Sequence, residues 1–142
     1  MPAEIKPRYT AEVTVSGGRE GTARSSDGVL DVQIRRPKVN GVSDGTNPEQ
    51  LFAAAWGACF LSAVGAVAKE SETDVSKATL NVDVSVGEDV SNGGSGLMAK
   101  ISLSVPGLEK SRVEELLEKA DAMCPYSKAT RGNIPVELIA EA

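Results

Sequence analysis

Two cysteines, Cys59 and Cys124, are the residues of this 142-residue chain best suited to covalent chemistry. The sequence holds no histidine. That removes Cys-His and Ser-His nucleophilic sites, along with the common histidine-containing zinc sites, and no metal is expected. A thiol attacks only as the thiolate, and a free one ionises near a pKa of about 8.5. Burial pushes that value up, and the helpful field of a helix N-terminus fades beyond the first turn. Cys59 lies about 16 Å from the start of its expected helix, at about 1.5 Å per residue. A cation must come from elsewhere, and arginine or lysine has to supply it. Arg19 sits in Gly17-Gly18-Arg19-Glu20-Gly21, where backbone freedom allows a side chain to be aimed inward; a solvated hairpin tip is the competing reading. Glu49 is either a first-turn carboxylate favoured by the helix dipole or the group that holds Arg19 in a bidentate pair. The cysteines are either a redox pair or two small buried hydrophobes. Any bridge between them is long-range, so the fold must bring them together.

Cys59 belongs to the stretch Thr46 to Glu70, TNPEQLFAAAWGACFLSAVGAVAKE. Asn47 followed by Pro48 reads as an N-cap with proline at the first helical position, and Gln50 completes a capping box. No charge follows until Lys69. A helix of about 22 residues, roughly 33 Å long, is predicted. It is apolar on all sides, which marks a helix buried nearly all round. The uncharged run is long enough to raise a transmembrane reading. Its alanines, glycines and Ser62 give little transfer energy into lipid, so a close-packed core helix is expected and no membrane.

The remaining elements follow from periodicity. Alternation over Arg8 to Ser16, Thr22 to Ser26 and Leu30 to Ile34 predicts a three-stranded meander, with Asp27-Gly28 as one turn. Leu80 to Val86 and Leu97 to Val105 alternate about an Asn92-Gly93-Gly94 hairpin loop. A second helix is expected from a Ser111–Glu114 capping box, with Val113, Leu116, Leu117, Ala120, Met123 and Cys124 on its inner stripe and Pro125 as its stop. A last strand holds Ile134, Val136 and Leu138, with Pro135 suggesting a sheet edge. The reading is one α+β domain over 1–142: an antiparallel sheet packed on two main helices, including the long buried one. A net charge of -5 argues against nucleic acid, and 4% aromatic residues supply no base-stacking platform. The N-terminus, MPAEIKPRYT, lacks a basic-then-apolar signal pattern. Two cysteines without one suggest a cytosolic thiol pair, so a cytoplasmic location is expected.

Three blocks carry a resemblance to a known family: Gly17 to Val32, Gly45 to Phe60 (GTNPEQLFAAAWGACF) and Cys124 to Ile134 (CPYSKATRGNI). In order and over essentially the whole chain, they resemble the organic hydroperoxide resistance family of the OsmC-like superfamily. The resemblance implies an intertwined homodimer and a thiol-dependent peroxidase that reduces organic hydroperoxides to alcohols. Cys59 falls on the family's peroxidatic cysteine and Cys124 on its resolving cysteine. Arg19 falls on the arginine that activates the thiolate, and Glu49 on the glutamate that orients it. The Cys59 sulfenic acid would condense with Cys124 to a disulfide. An external dithiol would reduce that bond, and the family's use of lipoyl-bearing proteins implies dihydrolipoamide or a lipoylated protein, with no bound cofactor. Phe52, Trp56, Phe60 and Met123 would line an apolar path for an alkyl or lipid-like chain, although each alone is more often plain core. Glu20, Trp56, Lys128 and a short Val39 to Gly45 loop depart from the family pattern, and Trp56 and the loop bear on peroxide preference.

Glu49 and Cys59 are about ten residues apart on one helix, hence about 15 Å along its axis, and they point to different sides. One Arg19 cannot bridge both within a straight helix. An isologous dimer resolves this if Glu49 of one chain approaches Cys59 of its partner, so homodimeric sites shared between chains are expected. The rival expectation is a non-catalytic ligand-binding or structural dimer with inert buried cysteines.

Overall fold

The computed structural model describes residues 2–141. The chain divides into two compact units, Met1–Pro48 and Glu49–Ala142. In the first, β1 (Val13–Ser16), β2 (Thr22–Ser25) and β3 (Asp31–Gln33) form an antiparallel sheet in the order β1-β2-β3. The β2–β3 turn is tied by side chains that mimic backbone. Ser25 Oγ donates to Asp27 Oδ1 at 2.6 Å, and Val29 N donates to the same oxygen at 3.0 Å. Those two bonds hold the Asp27 carboxyl below its ordinary value. After β3 the chain makes a loop closed by a bridge between Ile34 and Thr46, with Arg35 N on Thr46 O at 2.8 Å.

The turn between β1 and β2 is a 3₁₀ segment, Gly18–Glu20. It enters through Gly17 at φ 78°, in the left-handed region that suits glycine. It is braced on the side of β3. Gly21 O accepts from Ile34 N and from Arg35 Nη1, both at 2.8 Å, and the Glu20 carboxylate accepts from Arg36 N at 3.2 Å.

The second unit holds α1 (Pro48–Glu70, its first residue closing the first unit), β4 (Thr79–Glu88), β5 (Ser95–Ser104), α2 (Lys110–Met123), α3 (Pro125–Thr130) and β6 (Val136–Ala140). Its sheet has the order β4-β5-β6. Leu80, Val82 and Val84 pair with Leu103, Ile101 and Ala99 across β4 and β5. Val136, Leu138 and Ala140 of β6 lie beside Ala99, Ile101 and Leu103 of β5. This one face meets Trp56, Phe60, Val64 and Val67 of α1 and Val113, Leu116, Leu117 and Ala120 of α2 in a single core. Close approach of α1 to the sheet is possible because Gly57 lacks a side chain: a Cβ there would stand 3.2 Å from Val82 Cγ2.

The α+β class stands, with α1 where its capping signals put it. Four details differ from expectation. β6 runs parallel to β5 rather than antiparallel, because the helical crossover between them returns the chain to the same end of the sheet. Pro125 both ends α2 and opens α3, a short helix with proline at its first position that was not expected. α2 begins at Lys110 behind Glu109, so Ser111 lies inside its first turn and is not a cap. Finally, α1 buries one face in the single chain, through Trp56, Phe60, Ala63, Val64, Val67 and Ala68. Ala54, Ala55, Ala58, Ser62 and Ala66 are exposed, so burial all round does not hold for one protomer. By length and composition α1 would pass for a membrane span, yet its large side chains point into the core.

Gly21 is the tightest point in the first sheet, since a Cβ there would fall 1.7 Å from Ser16 O. Gly21→Ala must therefore open the β1–β2 hairpin, with an expected loss of about 1–3 kcal/mol. A urea titration that leaves the midpoint unchanged would contradict this reading of the turn.

Candidate functional site

Cys59 lies midway along α1, half-buried beside the core, while Cys124 is fully buried at the junction of α2 and α3. Cys124 caps both helices. It follows the last residue of α2 and precedes Pro125, with an extended backbone at φ −65° and ψ 122°. Its N–H donates to Ala120 O at 2.9 Å and its carbonyl accepts from Lys128 N at 3.0 Å. The elbow is thus held from both helices. Both cysteines are free, and their side chains lie within hydrogen-bonding reach of each other.

The surroundings of Cys59 raise its pKa above the ordinary thiol value. Burial contributes most, followed by repulsion from the Cys124 sulfur and then the hydrogen bond the two side chains share. The folded chain therefore holds this proton more tightly than the unfolded chain. The associated stability is fully present below the ordinary thiol pKa and is lost as pH rises through the raised value. An attacking sulfur here needs a positive charge nearby, as the absence of histidine already required.

A second contact joins the same two segments. Trp56, 0% exposed, donates from Nε1 to Ser127 Oγ at 3.1 Å, and Ser127 is 2% exposed. Trp56 precedes Cys59 by about one helical turn, and Ser127 lies in the first turn of α3, after Cys124. Asp121 near the end of α2 is tied to Arg131 just beyond α3. Arg131 Nη2 donates to Asp121 O at 2.7 Å and to its carboxylate at 3.0 Å. An open cleft of about 210 Å³ lies beside this contact, walled by Asp121, Arg131, Ile134 and Leu138 among others, with the buried Trp56 and Ser127 beneath its floor.

The other expected site residues are placed as follows. Arg19 is half-buried on the braced 3₁₀ turn of the first unit, between exposed Gly18 and Glu20. Glu49 is half-buried in the first turn of α1. Phe52 stacks on Trp56 at a tilt, with ring centroids 5.5 Å apart. Phe60 is fully buried in the core, and Met123 is 46% exposed. In one protomer Trp56 and Phe60 therefore offer a ligand no surface, whereas Phe52 and Met123 retain some. Ser127 was not singled out from the sequence. Only its place one helical turn after Cys124 could have drawn attention to it. Among the described residues no cluster of three metal-ligating side chains occurs.

The OsmC-like protein family model matches residues 41–139. The chain is similar to an organic hydroperoxide resistance protein of Xanthomonas axonopodis pv. citri, 45% identical over 97% of this chain and 98% of that one. Among solved structures it is similar to the organic hydroperoxide resistance protein OhrB of Bacillus subtilis, with TM-score 0.87 and 42% identity over 94% of this chain and 98% of that one. It is also similar to an organic hydroperoxide resistance protein of Elizabethkingia anophelis with thiocyanate bound, with TM-score 0.86 and 40% identity over 96% and 99% of the two chains.

The causes of the Cys59 shift yield a signed prediction. Both contributions from Cys124 raise the value, so Cys124→Ser should move the midpoint of Cys59 alkylation to lower pH. The pH dependence of iodoacetamide labelling, read at Cys59 by mass spectrometry, measures it. A midpoint that stays put or rises would show that the two sulfurs do not interact as described.

Proposed function

Since this chain belongs to the OsmC-like family, and within it to the organic hydroperoxide resistance proteins, we propose that it is a thiol-dependent peroxidase acting on organic hydroperoxides. The observation that carries the reading is the nearness of Cys59 and Cys124, two free cysteines far apart in sequence whose side chains share a hydrogen bond. The Cys59 thiolate attacks the distal oxygen of the hydroperoxide and the O–O bond breaks. The alkoxide leaves, takes a proton and becomes the alcohol; Cys59 becomes a sulfenic acid. Cys124 then displaces hydroxide from that sulfur, closing a disulfide with loss of water. A dithiol returns both cysteines to thiols by exchange, and dihydrolipoamide or a lipoylated protein is the proposed reductant.

Arg19 is proposed to supply the charge that the thiolate needs and to stabilise the leaving oxygen, oriented by Glu49. Half-burial of Arg19 on a braced turn is consistent with an aimed side chain rather than a solvated tip. The exposed alanine stripe of α1 is suited to a close-packed second copy, and the spacing of Glu49 and Cys59 favours sites shared across a homodimer. Phe52 and Met123, with surface to offer, are the stronger candidates for contact with an alkyl chain. A cytoplasmic setting, where thiols are kept reduced, suits such a pair.

The test is peroxide consumption with an alkyl hydroperoxide against hydrogen peroxide, each driven by dihydrolipoamide or by thioredoxin. Turnover should be faster with the alkyl hydroperoxide and with dihydrolipoamide. Cys59→Ser should abolish it, and Arg19→Ala should lower it on the order of a hundredfold or more. Mixing Cys59→Ser with Arg19→Ala homodimers under exchange should restore part of the activity. No thiol loss on a stoichiometric dose of alkyl hydroperoxide would leave an inert, non-catalytic dimer as the better account.

A further inference from the structure

Trp56 and Cys59 are neighbours on α1, since side chains three apart on a helix share a face. Ser127 follows Cys124 by three residues, in the first turn of the helix that Cys124 caps. The Trp56–Ser127 hydrogen bond and the sulfur pair are therefore two rungs, about one turn apart, joining the same two segments. The polar rung is closed to water, because both residues are buried. Either partner alone would be left unsatisfied in the core, at a cost that favours keeping the rung intact. At its far end α3 is tied to α2 rather than to α1, through Arg131 Nη2 on Asp121 O and on its carboxylate. It is six residues long, and its backbone is tied mainly to its own flanks, through Lys128 N on Cys124 O and Arg131 N on Ser127 O.

We infer that the Trp56–Ser127 hydrogen bond is the positioning contact that holds Cys124 within reach of an oxidised Cys59. This rests on the peroxidase reading and deepens it. The bond governs the second step, in which the Cys124 sulfur bonds to the sulfenic sulfur of Cys59 and the sulfenic oxygen leaves as water. It does not touch the hydroperoxide. If the elbow drifts, closure slows while the sulfenic acid waits, and a second hydroperoxide molecule oxidises it to sulfinic acid. Trp56 and Ser127 thus select disulfide over irreversible oxidation.

The chain has one tryptophan, so its fluorescence reports the surroundings of this rung. Stopped-flow fluorescence with limiting alkyl hydroperoxide, with acid quench and mass spectrometry, separates thiol loss from disulfide formation. Ser127→Ala should leave the rate of first thiol loss within about twofold, slow disulfide closure on the order of tenfold, and raise the sulfinic fraction in excess hydroperoxide. Ser127→Thr, which keeps the hydroxyl, should restore closure. On a Trp56→Phe background, Ser127→Ala should have no further effect, as expected for two ends of one interaction. Closure at the wild-type rate in Ser127→Ala, or effects of the two substitutions that multiply, would overturn the inference. Should Ser127→Ala fail to fold, the Trp56→Phe/Ser127→Ala double variant leaves neither partner orphaned. Slow closure in it supports the inference and wild-type closure overturns it. If the wild-type protein loses no thiol to hydroperoxide, the peroxidase reading falls instead. The positioning claim then faces the equilibrium with dithiothreitol, where the Ser127→Ala disulfide should be about tenfold easier to reduce, and an unchanged equilibrium would overturn it.

Discussion

On the peroxidase reading, the sulfur that must carry charge works against its own surroundings. Burial and a second sulfur both favour the protonated form of Cys59, and no imidazole exists anywhere in the chain to offset them. Neutral hydrogen-bond donors offer partial help, since the dominant contribution is removal from water. What remains is a fixed positive charge, and fixed charges are useful only when their backbone is held. The 3₁₀ turn that carries Arg19 meets that condition: Arg35, Arg36 and Ile34 clamp the two residues that follow it. Glu20 and Gly21 therefore keep the turn in shape, the Glu20 carboxylate through Arg36 N and the Gly21 carbonyl through Ile34 N and Arg35.

The cysteine junction is built differently, from close packing and a single polar contact. Gly57 admits the sheet against α1, and the large residues Trp56 and Phe60 are buried in the core against which Cys59 packs. Of the four apolar residues read as a substrate path, two are interior walls in one protomer. Trp56 also has a polar assignment, because its indole N–H is consumed by Ser127. A tyrosine at that position would present its hydroxyl in a different place, so the Trp56–Ser127 pair should be considered together in any comparison with relatives.

Much of this was legible in the sequence, for identifiable reasons. Asn47-Pro48 and the charge-free run define α1, and the alternation of Leu80 to Val86 and of Leu97 to Val105 defines the central hairpin, because those patterns answer to local geometry. Strand direction does not. Ile134, Val136 and Leu138 alternate equally well in either sense, so the parallel pairing of β6 had to be seen. α3 is hidden in the sequence because Pro125 ends one helix and opens the next, and proline serves either purpose equally. The one-sided burial of α1 was hidden because alanine tolerates a core, a protomer interface and water alike. The nearness of Cys59 and Cys124 was a requirement of the chemistry rather than something their spacing revealed. Ser127 carried no signal alone, since its meaning depends on an indole far away in the chain.

Because β6 lies parallel beside β5, both ends of the α2–α3 segment are moored to one strand: α2 departs shortly after Ser104, and Val136 returns beside Ala99. Such a crossover closes late, after non-local pairing has been established. During synthesis Cys59 is made well before Cys124, and spends that interval without the sulfur it meets in the folded chain. On the peroxidase reading, a nascent or truncated chain ending before Cys124 would be the form of this protein most vulnerable to permanent oxidative damage.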